Sequence, residues 1–124
     1  LEIIEDFTLD EMLDFHFSFK PYLKGINAWH IKDILGLNVR KSKPIRQYSS
    51  GMKQRVKLAL AFFSDVPLLL LDEPVMNLDK AGIDWYLQLV KEYAGKRSLL
   101  ICSNQHAQES AFAVKTISIE DFKS

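Results

Sequence analysis

The chain has 124 residues, 16 basic and 16 acidic side chains, and a formal charge of zero; that balance leaves no basic footprint, and nucleic acid is not expected as a partner. With 48% apolar and 11% aromatic residues, a disordered polymer is excluded and one small packed unit is expected. The single cysteine, Cys102, excludes an internal disulfide framework and fits a reducing compartment, and no His/Cys spacing matches a zinc site. The longest apolar stretches, residues 58–63 and 66–71, fall short of the roughly 18 residues that span a bilayer, and no export signal is expected.

The first predicted element follows Thr8-Leu9-Asp10-Glu11, a capping box in which Thr8 and Glu11 satisfy donors at a helix start. Met12, Phe15, His16 and Phe19 then share one face, and Pro21 and Gly25 close the helix. A second helix is expected over residues 27–37, with Ile31, Ile34 and Leu35 inward and Gly36 near its end. Residues 38–47 carry Arg40, Lys41, Lys43, Pro44 and Arg46 and read as a solvated connecting loop. From Ser50 onward Met52, Val56, Ala59, Leu60 and Phe63 recur at helical spacing, until Asp65-Val66-Pro67.

Residues 68–71 are four leucines, a run that suits a strand buried on both faces of a parallel sheet, and Pro74 prevents its continuation. Ile83, Tyr86, Leu87 and Val90 predict a further helix ended by Gly95. Residues 99–102 predict a second buried strand, 106–112 a short helix, and 116–119 a last strand. Two helices followed by αβαβαβ make an α/β layer pattern, without internal repeats.

Two clusters carry chemistry. Tyr48-Ser49-Ser50-Gly51-Met52 puts hydroxyls and a glycine at a helix start, where unpaired N–H groups and the dipole favour an anion such as phosphate; taken alone, the pattern is also that of an ordinary Ser N-cap. The leucine strand delivers Asp72 and Glu73 to its C-terminal end, where open α/β sheets bind ligands. In nucleotide hydrolysis such a pair holds Mg²⁺ and polarises the attacking water; the bland alternative is an acidic turn. Ser49 lies 24 residues before Glu73, and Asn77-Leu78-Asp79 follows within one loop.

In that order and spacing the chain resembles the ATP-binding cassette (ABC) family, with its signature helix, Walker B strand and D-loop. The resemblance extends over essentially the whole chain and implies an α/β fold: a P-loop NTPase fragment of the ABC type. Residues 1–50 would form the helical subdomain and the approach to the signature. Residues 51–124 would hold the signature helix and the C-terminal part of the parallel-sheet, RecA-like core.

By position, Ser49, Ser50 and Gly51 would meet the γ-phosphate of ATP held by an opposing subunit, with Ser50 where the family has its first Gly and Met52 where it has Gln. Asp72 resembles the Walker B aspartate that holds Mg²⁺ through water, Glu73 the general base, and Asp79 the D-loop residue that reaches across the dimer. Asn104 stands where the family has its switch histidine; an amide can bond a phosphate oxygen but cannot carry imidazole's charge or shuttle its proton. Slow or modified hydrolysis is the expectation that follows. His106 reads as a helix-start or surface residue that takes the switch role only if the loop is rearranged, and His16 and His30 as structural or exposed.

A Walker A loop needs Gly, four residues, Gly-Lys and Ser or Thr, and Gly95-Lys96 has Val90 and Arg97 at the other defining positions. The resemblance begins just after the Q-loop, so the chain is expected to be a C-terminal fragment, inactive alone and with sheet edges open to pairing. The implied whole is an ABC transporter ATPase subunit. It would use ATP and Mg²⁺, pair with a second ATPase subunit as a homo- or heterodimer, and drive an integral membrane permease from the cytoplasmic face of the membrane. Residues 78–82 faintly resemble haem-exporter ATPases of cytochrome c maturation. The alternatives are a non-transport ABC ATPase of translation or DNA maintenance, and a cassette that binds ATP but hydrolyses it poorly.

Overall fold

The structure, a computed structural model, describes residues 3–106 and 111–118, with side chains described for residues 3–102. Helix α1 (Leu9–Phe19) starts at the expected capping box: Thr8 Oγ1 accepts from the Glu11 amide at 3.3 Å and Glu11 Oε1 accepts from the Thr8 amide at 2.9 Å. It buries Met12, Leu13 and His16. Phe15 and Phe19, expected on that face, are instead 42% and 74% exposed. Phe15 makes edge-to-face contacts with Phe7 and Phe19, at 5.7 and 5.2 Å between ring centroids; the buried stripe passes instead through Met12 and Leu13, which belong to the apolar core.

Helix α2 (Ala28–Leu35) is capped by Asn27, buries Ile31 and Leu35, and ends where Gly36 takes φ +59°, a conformation that glycine adopts without the Cβ penalty. His30 is half-buried and its Nδ1 accepts from the Asn27 amide. The segment expected as a solvated loop is pinned at one point. Ile45, in a 3-10 turn (Ile45–Gln47), is fully buried. The amides of Ile45 and Arg46 donate to the carbonyls of Phe7 and Glu5, both at 2.8 Å. One isoleucine among charged neighbours gives no periodicity, so its anchoring role escapes a pattern reading.

Helix α3 (Ser50–Phe62) runs through the centre, with Val56, Ala59, Leu60 and Phe62 all at 0% exposure. Strand β1 (Leu68–Asp72), helix α4 (Lys80–Tyr93) and strand β2 (Ser98–His106) then form a parallel βαβ unit in which Leu69 pairs with Leu99 and Asp72 with Cys102. Strand β3 (Ala111–Ser118) lies antiparallel on the far side of β2, giving the order β1-β2-β3. Core residues from Met12 to Leu99 form one apolar cluster.

Two expectations about the sheet are corrected. Burial on β1 alternates: Leu69 and Leu71 are buried, whereas Leu68 and Leu70 are 43% and 62% exposed, because α3 packs on one face and no described element covers the other. The sheet is also mixed, not wholly parallel. His106, expected to open a helix over 106–112, ends β2 and pairs with Ala111 at the start of β3. Seven residues are too few for an isolated helix to hold, and β2 offers a ladder of backbone partners. Residues 107–110 and Ile119 of the expected last strand lie outside the described set.

Arg97 closes the lower end of the unit. Its guanidinium donates to the carbonyls of Ala94 (3.2 Å), Ser64 (3.0 Å), Phe62 (2.8 Å) and Tyr93, tying the ends of α3 and α4 together. Burial lowers its pKa, with Asp65 opposing that shift.

Candidate functional site

The site begins at the N-terminus of α3. Tyr48 anchors the approach: it is 5% exposed, and burial, followed by the charge of Asp10, raises its phenol pKa. Ser49 then caps α3, its Oγ accepting from the Met52 amide at 3.1 Å. The amides of Ser50 and Gly51 have no intrahelical partner by helix geometry, and the first turn of α3 contains no acidic residue. The positive end of the dipole is therefore not neutralised from within.

The turn after β1 is held against this helix. The Glu73 amide donates to the carbonyl of Cys102 at 2.7 Å, and Glu73 itself sits at φ +43°, a left-handed conformation that costs a non-glycine residue about 1–3 kcal/mol and persists only under outside constraint. Gln54 supplies part of that constraint. Buried on α3, its Nε2 donates to the carbonyls of Glu73 (3.2 Å) and Pro74 (3.0 Å). Asn77 is left-handed too, at φ +65°, and its carbonyl approaches Gly51 so closely that a β-carbon there would lie 3.0 Å from it. Asp79 caps α4, with Oδ1 accepting from the Gly82 amide at 2.8 Å.

These contacts bring the N-termini of α3 and α4 to one open cleft of about 440 Å³, whose walls include Ser49, Gly51, Met52, Asn77 and Asp79. Ser50 faces a neighbouring cleft of about 400 Å³, together with Lys53, Gln54 and Asn77; Lys53 is paired there with Glu5. Asp72, exposed at the end of β1, and Glu73, half-buried beside it, line neither cleft. Asn104 falls in β2 within the irregular register between Ser103 and His106, and its side chain lies outside the described set.

Sequence reasoning missed Gln54 and named Asn77 only within the Asn77-Leu78-Asp79 motif, without a role. Gln54 shares a helical stripe with Ser50 and Leu58, and an amide on such a stripe is a detectable signal, since buried polar groups need partners. Asn77 carried the weaker signal of a residue type that tolerates the left-handed region. His16, read as structural or exposed, is buried and lies 2.7 Å from the Ser64 hydroxyl through Nε2.

Among the described residues no three His, Cys, Asp or Glu side chains gather into a metal cage. A lone exposed carboxylate at Asp72 still suits Mg²⁺, which keeps several waters and takes one or two carboxylates beside phosphate oxygens. No described helix is long and apolar enough to cross a membrane.

The model of the family described as ABC transporter matches residues 7–76. The chain is 32% identical over 102 residues to the uncharacterized ABC transporter ATP-binding protein YcbN of Bacillus subtilis (strain 168), covering 82% of this chain and 33% of that protein. It is 30% identical over 95 residues to the cytochrome c biogenesis ATP-binding export protein CcmA of Pasteurella multocida (strain Pm70), covering 77% and 44%. The lantibiotic transport ATP-binding protein SrtF of Streptococcus pyogenes is 31% identical over 75 residues, covering 60% and 33%. The chain thus spans between a third and somewhat under half of the length of these relatives.

Proposed function

We propose, from the premise that this chain belongs to the ABC transporter family, that it is the signature and Walker B part of an ATPase subunit that works as a dimer and drives a membrane permease. The observation that carries this reading is the single cleft onto which the N-termini of α3 and α4 open, through Ser49, Gly51 and Asp79. Such a cleft suits a phosphate presented from outside, because Gly51, whose amide has no intrahelical partner, and the Arg55 guanidinium line it against the one carboxylate of Asp79. The phosphate would belong to ATP held by the second subunit, homo- or heterodimeric.

Glu73 supplies the general base: its carboxylate takes a proton from the attacking water while Gln54 and Cys102 hold its backbone in place. Asp72 would hold Mg²⁺ through water, and Mg²⁺ neutralises phosphate charge when bound. Asp79, already the cap of α4, presents its exposed side toward the partner subunit. Residues 1–50 form the helical part through which the permease is driven, and the assembly sits peripherally on the cytoplasmic face of the membrane. The relatives' printed roles, cytochrome c biogenesis export and lantibiotic transport, put export among the candidate directions for this protein.

Asn104 favours a second reading, a cassette that closes on ATP but hydrolyses it slowly, since its amide cannot take imidazole's positive charge. Two measurements test the proposal. The complete gene product should turn over Mg-ATP and form a dimer by light scattering with ATP but not with ADP; a monomer without turnover defeats it. The 124-residue chain alone, lacking a phosphate-wrapping Gly-Lys loop, should give no stoichiometric heat with Mg-ATP, and a micromolar complex by calorimetry contradicts that expectation.

A further inference from the structure

One wall of the cleft is the end of α2, with Gly36, Leu37 and Asn38 facing Ser49 and Asp79, and a side chain from α4 holds it. The last carbonyls of a helix need donors from elsewhere. In α2 the carbonyl of Lys32 receives the Gly36 amide, whereas that of Ile34 receives the indole Nε1–H of Trp85, 51 residues further on, at 3.0 Å. The Arg55 guanidinium of α3 lies 5.3 Å from the centroid of the same indole ring, within cation–π range. Arg55 itself lines the cleft. Three helices therefore meet at one side chain that stands behind the wall and does not line the cleft.

We propose that Trp85 is a positioning residue for this cleft, fixing the turn at residues 36–38 and the Arg55 guanidinium relative to the N-termini of α3 and α4. The proposal rests on the nucleotide reading above. Trp85 touches no reacting atom, so its contribution is to affinity: it holds the wall where a bound nucleotide phosphate needs it, and the chemical step proceeds unaided by it.

Trp85→Phe removes the indole donor and keeps a ring face for Arg55. In the 124-residue chain this variant should still melt cooperatively, a few degrees below wild type, while shifting the amide resonances of Gly36, Leu37 and Asn38. In the complete gene product it should raise KM for Mg-ATP about fivefold, the worth of one net hydrogen bond, with kcat within about twofold. An unchanged KM, or a fall in kcat at constant KM, overturns the proposal, as do unmoved resonances at residues 36–38 in a variant of normal turnover. A wild-type product that neither binds nor turns over Mg-ATP sinks the nucleotide reading and this proposal with it, even where the resonances shift as expected. Should the variant not fold, the wild type decides: a Trp85 indole proton that exchanges as fast as that of Trp29, 66% exposed, or one whose resonance Mg-ATP leaves unmoved in the complete gene product, overturns the proposal, and a protected indole proton whose resonance shifts with Mg-ATP upholds it.

Discussion

The carbonyl oxygen of Asn77 stands where a β-carbon on Gly51 would meet it at 3.0 Å. The first turn of α3 and the loop after β1 are therefore packed backbone to backbone, and each fixes the other's place on the cleft. The glycine serves this close approach as well as any phosphate. Neither partner can move as a flexible side chain would.

Gly51→Ala tests that contact. Overpacking costs about 1–3 kcal/mol, against a gain of roughly 0.5–1 kcal/mol from better helix propensity. A net loss of about 1 kcal/mol is expected in urea denaturation. A stabilised variant would show that the loop yields and that the close approach constrains nothing.

Glu73→Gln keeps the shape of the side chain and removes its basicity. In the complete gene product, ATP binding should persist while turnover falls at least about a hundredfold, the scale of a lost general base. Turnover within about twofold of wild type assigns the carboxylate to the turn alone.

Asn104→His should raise turnover in the complete product if this position serves the phosphate, because imidazole adds a titratable donor beside developing charge. A tenfold rise needs only about 1.4 kcal/mol. The paired variant His106→Ala should change turnover little. The reverse pattern, a nearly inactive His106→Ala and an unimproved Asn104→His, moves the switch role two residues on.

Acid should weaken the fold through His16. Burial first, then the charge of Lys20, lowers its pKa below the ordinary 6.5, with a hydrogen bond involving Leu60 opposing them. The unfolded chain therefore binds the proton more readily than the folded one. The stability that neutral His16 contributes is present above about pH 6.5 and is lost as the pH falls toward the folded pKa. The Ser64 hydroxyl also contacts the Leu60 carbonyl at 2.6 Å, which leaves His16 Nε2 as the donor in their pair. His16→Gln should melt with a smaller difference between pH 7.5 and pH 5.5 than wild type; an equal difference would exclude His16 as the source.

Local rules made much of the chain legible. Thr8 and Glu11, Ser49 and Gly36 announced helix ends because caps are read within four residues of the chain, and the leucine run before Asp72 announced a strand by composition. The order of signature, Walker B and D-loop residues was sufficient for the family. Tertiary structure alone decided the rest. Which face of α1 is buried, and that only alternate leucines of β1 are, depends on what packs against them, which periodicity does not encode. His106 joined β2 because antiparallel pairing with Ala111, five residues on, extended a strand already laddered to β1 and outweighed a short helix preference. Gln54 to Glu73, Asn77 to Gly51 and Trp85 to Ile34 are contacts between groups 19 to 51 residues apart, formed only once the apolar core has brought α2, α3 and α4 together, and they carry the shape of the cleft.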